Sequence, residues 1–152
     1  MKISHRGLYA LQALVHLAEA YDRGLVKIHE IAEAEEIPEK FLEAILVTLK
    51  NARYVVSERG REGGYRLRRP PGEITLGDVV RLVDGPLAPF GDVVELTRRV
   101  RTEKRHAGLF ALFLDVRNAA SAILDHTSLA DLLQRDRKIL AARGRRAQGA
   151  KP

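Results

Sequence analysis

Between Glu58 and Tyr65 the chain reads Arg-Gly-Arg-Glu-Gly-Gly. Three glycines let a backbone turn tightly and come close to another surface. Arg59 and Arg61 would project from the tip of that turn, where a guanidinium can enter a minor groove or clamp phosphates. A plain hairpin with solvated charges is the alternative, but it needs fewer glycines. A second set lies upstream, on a segment of helical period. Once Phe41, Leu42, Ile45, Leu46 and Leu49 are assigned to a core, the other face carries Glu39, Lys40, Glu43, Ala44 and Val47. Lys40 suits a phosphate or a guanine edge, and Glu43 a cytosine amino group. A carboxylate beside phosphates is unfavourable without such a partner, so Glu43 would act mainly as a filter against wrong sequences. Glu39 is read as a favourable negative charge at a helix N-terminus.

Other chemistry finds little footing. There is no cysteine, which excludes disulfides, zinc fingers and thiolate-held iron–sulfur centres. The histidines, His5, His16, His29, His106 and His126, are scattered, with no pair one helical turn apart and no H-E-x-x-H arrangement. His29, at the start of a helix, suits either a phosphate contact or a cap. The glycine-rich turn is not followed by G-K-S/T and has strands on both flanks, so it is not a nucleotide-phosphate loop. No Ser/His/Asp set has recognisable spacing. The expectation is a non-enzyme with no cofactor and no metal site.

The elements that would hold the two sets follow from period and punctuation. Apolar positions from Leu8 to Ala18 give a first helix over about 4–21, with Ser4 as N-cap and Asp22-Arg23-Gly24 as its end. Ile28, Ile31 and Ala32 give a short second helix, about 28–36. Pro38 sits where a first helical position belongs, and a third helix runs over about 38–51, with apolar Ile37 in the break. The period then changes: residues 54–58 and 65–68 read as strands around the glycine-rich turn. Thr75-x-x-Asp78 opens a fourth helix to about Asp84, and Gly85-Pro86 and Pro89 break the chain. Residues 90–104 are weakly amphipathic. From Ala107 to Leu124 the chain is apolar on almost every side, so that helix must be covered on two faces. One cover can be its own domain and the other a second copy, the commonest symmetry being two-fold. Ser128-x-x-Asp131 caps a last short helix, and the end after Leu140 reads as disordered.

The net charge of +6 over 152 residues is unevenly placed. From Gln134 onward stand Arg135, Arg137, Lys138, Arg143, Arg145, Arg146 and Lys151 against Asp136 alone, so the rest of the chain balances to zero. Within that body, Lys50 to Arg69 is strongly basic. Two basic zones on a neutral body suit an anionic polymer, although basic tails also serve solubility. No apolar run approaches the roughly 20 residues of a membrane span, and the N-terminus is not a signal peptide. A cytoplasmic protein without a membrane partner is expected.

The run IHEIAEAEEIPEKFLEAILVTLKNARYVVSERGREGGYRLRRPPGEITLGDVVRLVDGPL closely resembles the Rrf2 family of bacterial regulators, as does the SHRGLYALQALVHLA opening. The match covers about residues 1–88, and TSLADLL looks like that family's closing segment. The resemblance implies a dimeric repressor or activator on a palindrome, with a sensor segment beside a long dimerisation helix. By position it points to Lys40, Glu43 and Ala44 on a recognition helix and to Arg59, Arg61, Gly63 and Tyr65 on a wing. The chain departs from the pattern where sensing would occur. Many relatives carry three cysteines after the fourth helix, and here 89–108 has none. Arg53 also stands where relatives commonly have glycine.

The expected fold is mainly α with a small β-hairpin wing. It comprises a winged helix-turn-helix DNA-binding domain over 1–84, a sensor segment and dimerisation helix over 85–133, and a basic, disordered tail over 134–152. The expected function is a sequence-specific DNA-binding regulator, a repressor, acting as a homodimer on an inverted repeat of double-stranded DNA without an iron–sulfur cluster. The effector, read by segment 86–108, is left open between a small molecule and a protein. The alternative is a protein-interaction module that kept the fold, favoured by the neutral body and the acidic second helix. A metal-responsive regulator is a weak third.

Overall fold

The computed structural model describes residues 2–86 and 92–149. Helix α1 (His5–Glu19) is capped as expected: the Ser4 hydroxyl accepts from the Gly7 amide at 3.0 Å. Helices α2 (Ile28–Ala34) and α3 (Glu39–Asn51) end alike. In each, one residue enters the left-handed region, Glu36 at φ 53° and Arg53 at φ 63°. The next amide then reaches back five residues, Ile37 N to Ala32 O and Tyr54 N to Leu49 O, both at 2.9 Å. Glycine usually occupies such helix ends. Ile37 is buried beneath the turn between the helices, so α2 stops at Ala34, short of the expected 36. Pro38 caps α3 and does not begin it.

Strands β1 (Val55–Glu58) and β2 (Gly64–Leu67) form an antiparallel hairpin, with Val55 opposite Leu67 at the buried base and Glu58 opposite Gly64 at the tip. The residues before α2 add a third rung: Val26 and Tyr65 exchange N–H···O bonds, both at 2.8 Å. Helix α4 (Leu76–Asp84) starts at Thr75, whose hydroxyl accepts from Asp78 N. Its last residue, Asp84, accepts from the Ser4 amide at 2.9 Å and from the Ser4 hydroxyl. Gly7 leaves the room for that carboxylate, since a Cβ there would stand 2.3 Å from Asp84 Oδ2. The core includes Leu14, Leu17, Ile31, Leu42, Leu46 and Leu49, closed by Leu67, Ile74 and Val79.

Three further helices carry the chain away and back. Helix α5 (Val93–Thr102) lies on α6 (Ala107–Asp125), with the Arg99 guanidinium 4.8 Å above the Phe110 ring. Arg98 and Arg99 bracket Glu95 at 2.8 and 2.9 Å, and their hydrogen bonds hold its carboxyl down at about 2. Helix α7 (Leu129–Gly149) returns to pack against α1, and Leu129 at its start is fully buried. Ser128 and Asp131 cap it reciprocally, and the Ser128 hydroxyl and amide hold the Asp131 carboxyl below the usual range.

Two expectations are corrected. Residues 134–149 are not disordered, because the proline-free helix α7 continues through them to Gly149. Its residues are mostly Leu, Ala, Arg, Lys and Gln, all good helix formers with no proline, so a well-capped start propagates. Helix α6, mostly apolar and 19 residues long, does reach the length of a short membrane span. Pro89, residues 87–91 of the input segment, and Lys151 in the tail lie outside the described residues.

Candidate nucleic-acid interface

The hairpin tip and α3 face each other across a groove of about 490 Å³. Glu43, Val47 and Lys50 line it from α3; Arg59, Gly60, Arg61, Gly63 and Tyr65 line it from the wing. The core positions α3, since Leu42, Ile45, Leu46 and Leu49 are buried and turn the opposite face outward. Backbone geometry positions the wing. Gly60 sits at φ 112°, and its carbonyl accepts from Gly63 N at 3.0 Å. A Cβ on Gly63 would meet the Glu58 carbonyl oxygen at 2.2 Å, and one on Gly64 the Val26 carbonyl oxygen at 2.5 Å. The glycines are therefore needed by the turn and by the Val26–Tyr65 rung.

Of the residues expected from sequence, Glu43, Arg59, Arg61, Gly63 and Tyr65 come together in this groove. Lys40 and Ala44 are exposed on α3 but do not line it. Glu39 opens the first turn of α3, where its charge complements the helix N-terminus. Tyr65 does two jobs: its backbone bonds Val26 while its half-buried ring packs on the core. Arg59 and Arg61 are exposed, and among the described residues neither is held in an ion pair.

Three basic residues were missed by sequence reasoning about the site. Lys27 and Lys50 line the groove. Arg6, from the start of α1, donates to Thr48 Oγ1 at 2.8 Å and so lies along the outer face of α3. Lys50 was legible as charge. Arg6 and Lys27 were not, because only the packing of α1 and the Val26 rung brings them beside α3 and the wing. Val47, half exposed on the groove side, offers an apolar contact of the kind a thymine methyl accepts. Four cations, Lys27, Lys50, Arg59 and Arg61, outnumber Glu43 and Glu58 around one concave surface. Such a surface can attract phosphates and, through α3, touch base edges.

The histidines stay apart. His16 Nδ1 lies 2.9 Å from Glu35 Oε1, His126 bonds the Ala122 carbonyl oxygen, and His106 is exposed just before α6.

A family model described as an iron-dependent transcriptional regulator, Rrf2, matches residues 3–135. A protein of Mycobacterium tuberculosis named as an HTH-type transcriptional regulator is 40% identical over 136 residues, spanning 87% of this chain and 81% of its own. The solved structure of CymR, described as the global cysteine regulator of B. subtilis, matches with a TM-score of 0.75 at 33% identity, covering 87% of this chain and 95% of CymR. The structure of IscR from T. potens matches at 0.69 and 31%, covering 90% and 88%. These relatives are named as regulators and not as enzymes. The family description raises the question of iron, and the donor set here does not fit an iron–sulfur centre. The chain has no thiol, and among the described residues no three His, Asp or Glu side chains gather at one point. Fold, groove and sequence agree over most of the chain: it belongs to the Rrf2 family of transcriptional regulators.

Proposed function

We propose that this chain is a cytoplasmic, homodimeric repressor that reads an inverted repeat in double-stranded DNA and does so without an iron–sulfur cluster. The observation that carries the reading is the groove that sets Glu43, Val47 and Lys50 of α3 opposite Arg59 and Arg61 of the wing. Helix α3 enters the major groove, where Lys40, Glu43 and Ala44 meet base edges and phosphates, while the wing arginines hold the backbone or the adjacent minor groove. Occupying an operator excludes other proteins from it, which is the simplest form of repression.

The dimer rests on α6. Leu109, Leu112, Val116, Ala119 and Ile123 fall at alternating three- and four-residue steps, the spacing of a helix-pairing seam. The four large ones are 47%, 56%, 54% and 65% exposed. A ridge of that size on a soluble regulator calls for a partner. Val116 is the midpoint of the seam, so an antiparallel two-fold pairs it with itself, Leu109 with Ile123, and Leu112 with Ala119. Large residues then meet small or complementary ones, and the apolar length of α6 serves a protein interface. The effector, small molecule or protein, acts at 86–108.

The test is selection of random duplexes by the purified, metal-free protein at moderate salt. Enrichment of one two-fold-symmetric site is expected. Retention of unrelated sequences that vanishes as salt rises would overturn sequence-specific reading. It would favour the second reading, a protein-interaction module, which the acidic surface of α2 supports.

A further inference from the structure

Helix α6 joins the reading head at its C-terminal end, and the joint is unusually close. The Asp125 carboxylate lies over the first turn of α4. A Cβ on Gly77 would stand 1.9 Å from Asp125 Oδ1, so glycine alone leaves room for it. Asp125 Oδ1 accepts from Arg81 Nη2 at 2.5 Å, and the same nitrogen reaches Asp78 Oδ1 at 3.3 Å. Two main-chain bonds flank the ion pair: Leu76 N to Thr127 O at 2.9 Å and Leu129 N to Ile74 O at 3.0 Å. Both partners of the pair are about a third exposed, at 35% and 37%. An ion pair so exposed adds little stability. One guanidinium nitrogen shared between Asp125 and Asp78 does tie the end of α6 to α4, and a glycine kept clear for a carboxylate points the same way.

We propose that Gly77, Arg81 and Asp125 form a positioning joint that fixes the angle of the reading head on α6, and thereby the half-site spacing that the dimer accepts. The inference rests on the dimeric, palindrome-reading function proposed above. DNA turns once in about 10.5 base pairs, so one inserted pair rotates a half-site by about 34° and shifts it by about 3.4 Å. A loosely hinged head follows that change, whereas a clamped one does not. None of the three residues lies in the groove, so they act on DNA only through the orientation of α3 and the wing.

The experiment uses the full-length protein and its selected palindrome, with the half-sites moved apart or together by one and two base pairs, alongside a single half-site. Wild type is expected to lose about tenfold or more in affinity per base pair of displacement, equivalent to about 1.4 kcal/mol. Gly77→Ala, which drives a methyl into the carboxylate, is expected to flatten that preference to within about threefold while half-site affinity holds within about twofold. Should Gly77→Ala fail to fold, Asp125→Asn removes the charge and keeps the shape. Exchange of the pair, Arg81→Asp with Asp125→Arg, is expected to restore discrimination that each single change weakens. Folded, dimeric variants with wild-type spacing preference would overturn the joint, as would equal losses on half-site and palindrome. Wild type that selects no palindrome at all is a different failure, that of the dimer reading itself.

Discussion

Replacing Arg59 and Arg61 with alanine together tests both the wing and the number of heads that touch DNA at once. Both side chains are exposed at the hairpin tip and held in no ion pair among the described residues, so their loss leaves the fold intact. Each lysine or arginine that neutralises a phosphate contributes about 0.9 to the slope of log affinity against log salt. Two arginines on each of two protomers make about four such contacts, so the slope should fall by about 3.6. Between 50 and 200 mM salt each contact's share weakens about 3.5-fold, so the double variant should lose about 150-fold less affinity over that range than wild type. Fluorescence anisotropy on a labelled palindrome at four salt concentrations reads this directly. A slope change near 1.8 would mean that one head binds at a time. An unchanged slope would refute the assignment of the wing to phosphate.

Other expectations follow from particular contacts. Val116→Glu places two carboxylates face to face at the midpoint of the α6 seam, and sedimentation equilibrium should give the protomer mass with unchanged circular dichroism; a persisting dimer would remove α6 as the interface. Arg53→Gly relieves a left-handed residue at φ 63°. Left-handed strain of about 1–2 kcal/mol, less glycine's extra entropy in the unfolded chain, leaves a gain of about 0.5–1 kcal/mol. Tm should therefore rise by roughly 1–4 °C, and a fall would show that the Arg53 side chain matters more than its backbone. Glu95 has its carboxyl held at about 2 by Arg98 and Arg99, below the ordinary 4.5. Its stabilising contribution is thus present above about pH 4.5 and lost as pH falls towards 2. Glu95→Gln should abolish the acid-dependent loss of α5 helix stability in that window, and a carboxyl NMR titration near 4.5 would contradict the bracketing.

Local chemistry made much of this molecule legible from its sequence. Ser4, Thr75 and Ser128 announced helix starts because a cap and its partner amide lie within three residues. The hairpin followed from alternating residues around glycines, and its arginines came with it. Lys40, Glu43 and Ala44 could be placed on one exposed face because the core residues of α3 repeat so regularly. The arrangements that escaped notice join residues far apart in the chain: Arg6 with Thr48, Ser4 with Asp84, Arg81 with Asp125. No period marks such pairs. Gly7 and Gly77 carry no signal of their own in the sequence, because the carboxylates they make room for arrive from Asp84 and Asp125. The length of α7 escaped for another reason. Its basic end reads as a disordered tail, although the same residues are strong helix formers once a cap and a buried Leu129 provide a nucleus.

The return of the chain through Leu129 has a consequence for the protein while it is being made. Leu129 is fully buried in a core whose other buried members come from residues 10–79, and its amide bonds the Ile74 carbonyl. A growing chain that has released α1 to α4 and the wing still has a hole where Leu129 belongs, with the bonding groups around Thr75 unpaired. Domains mature on the ribosome from the N-terminus forward, yet this one cannot finish until α6 has emerged. Under the proposed dimer reading, the head is therefore completed only after the helix proposed to pair it has been made.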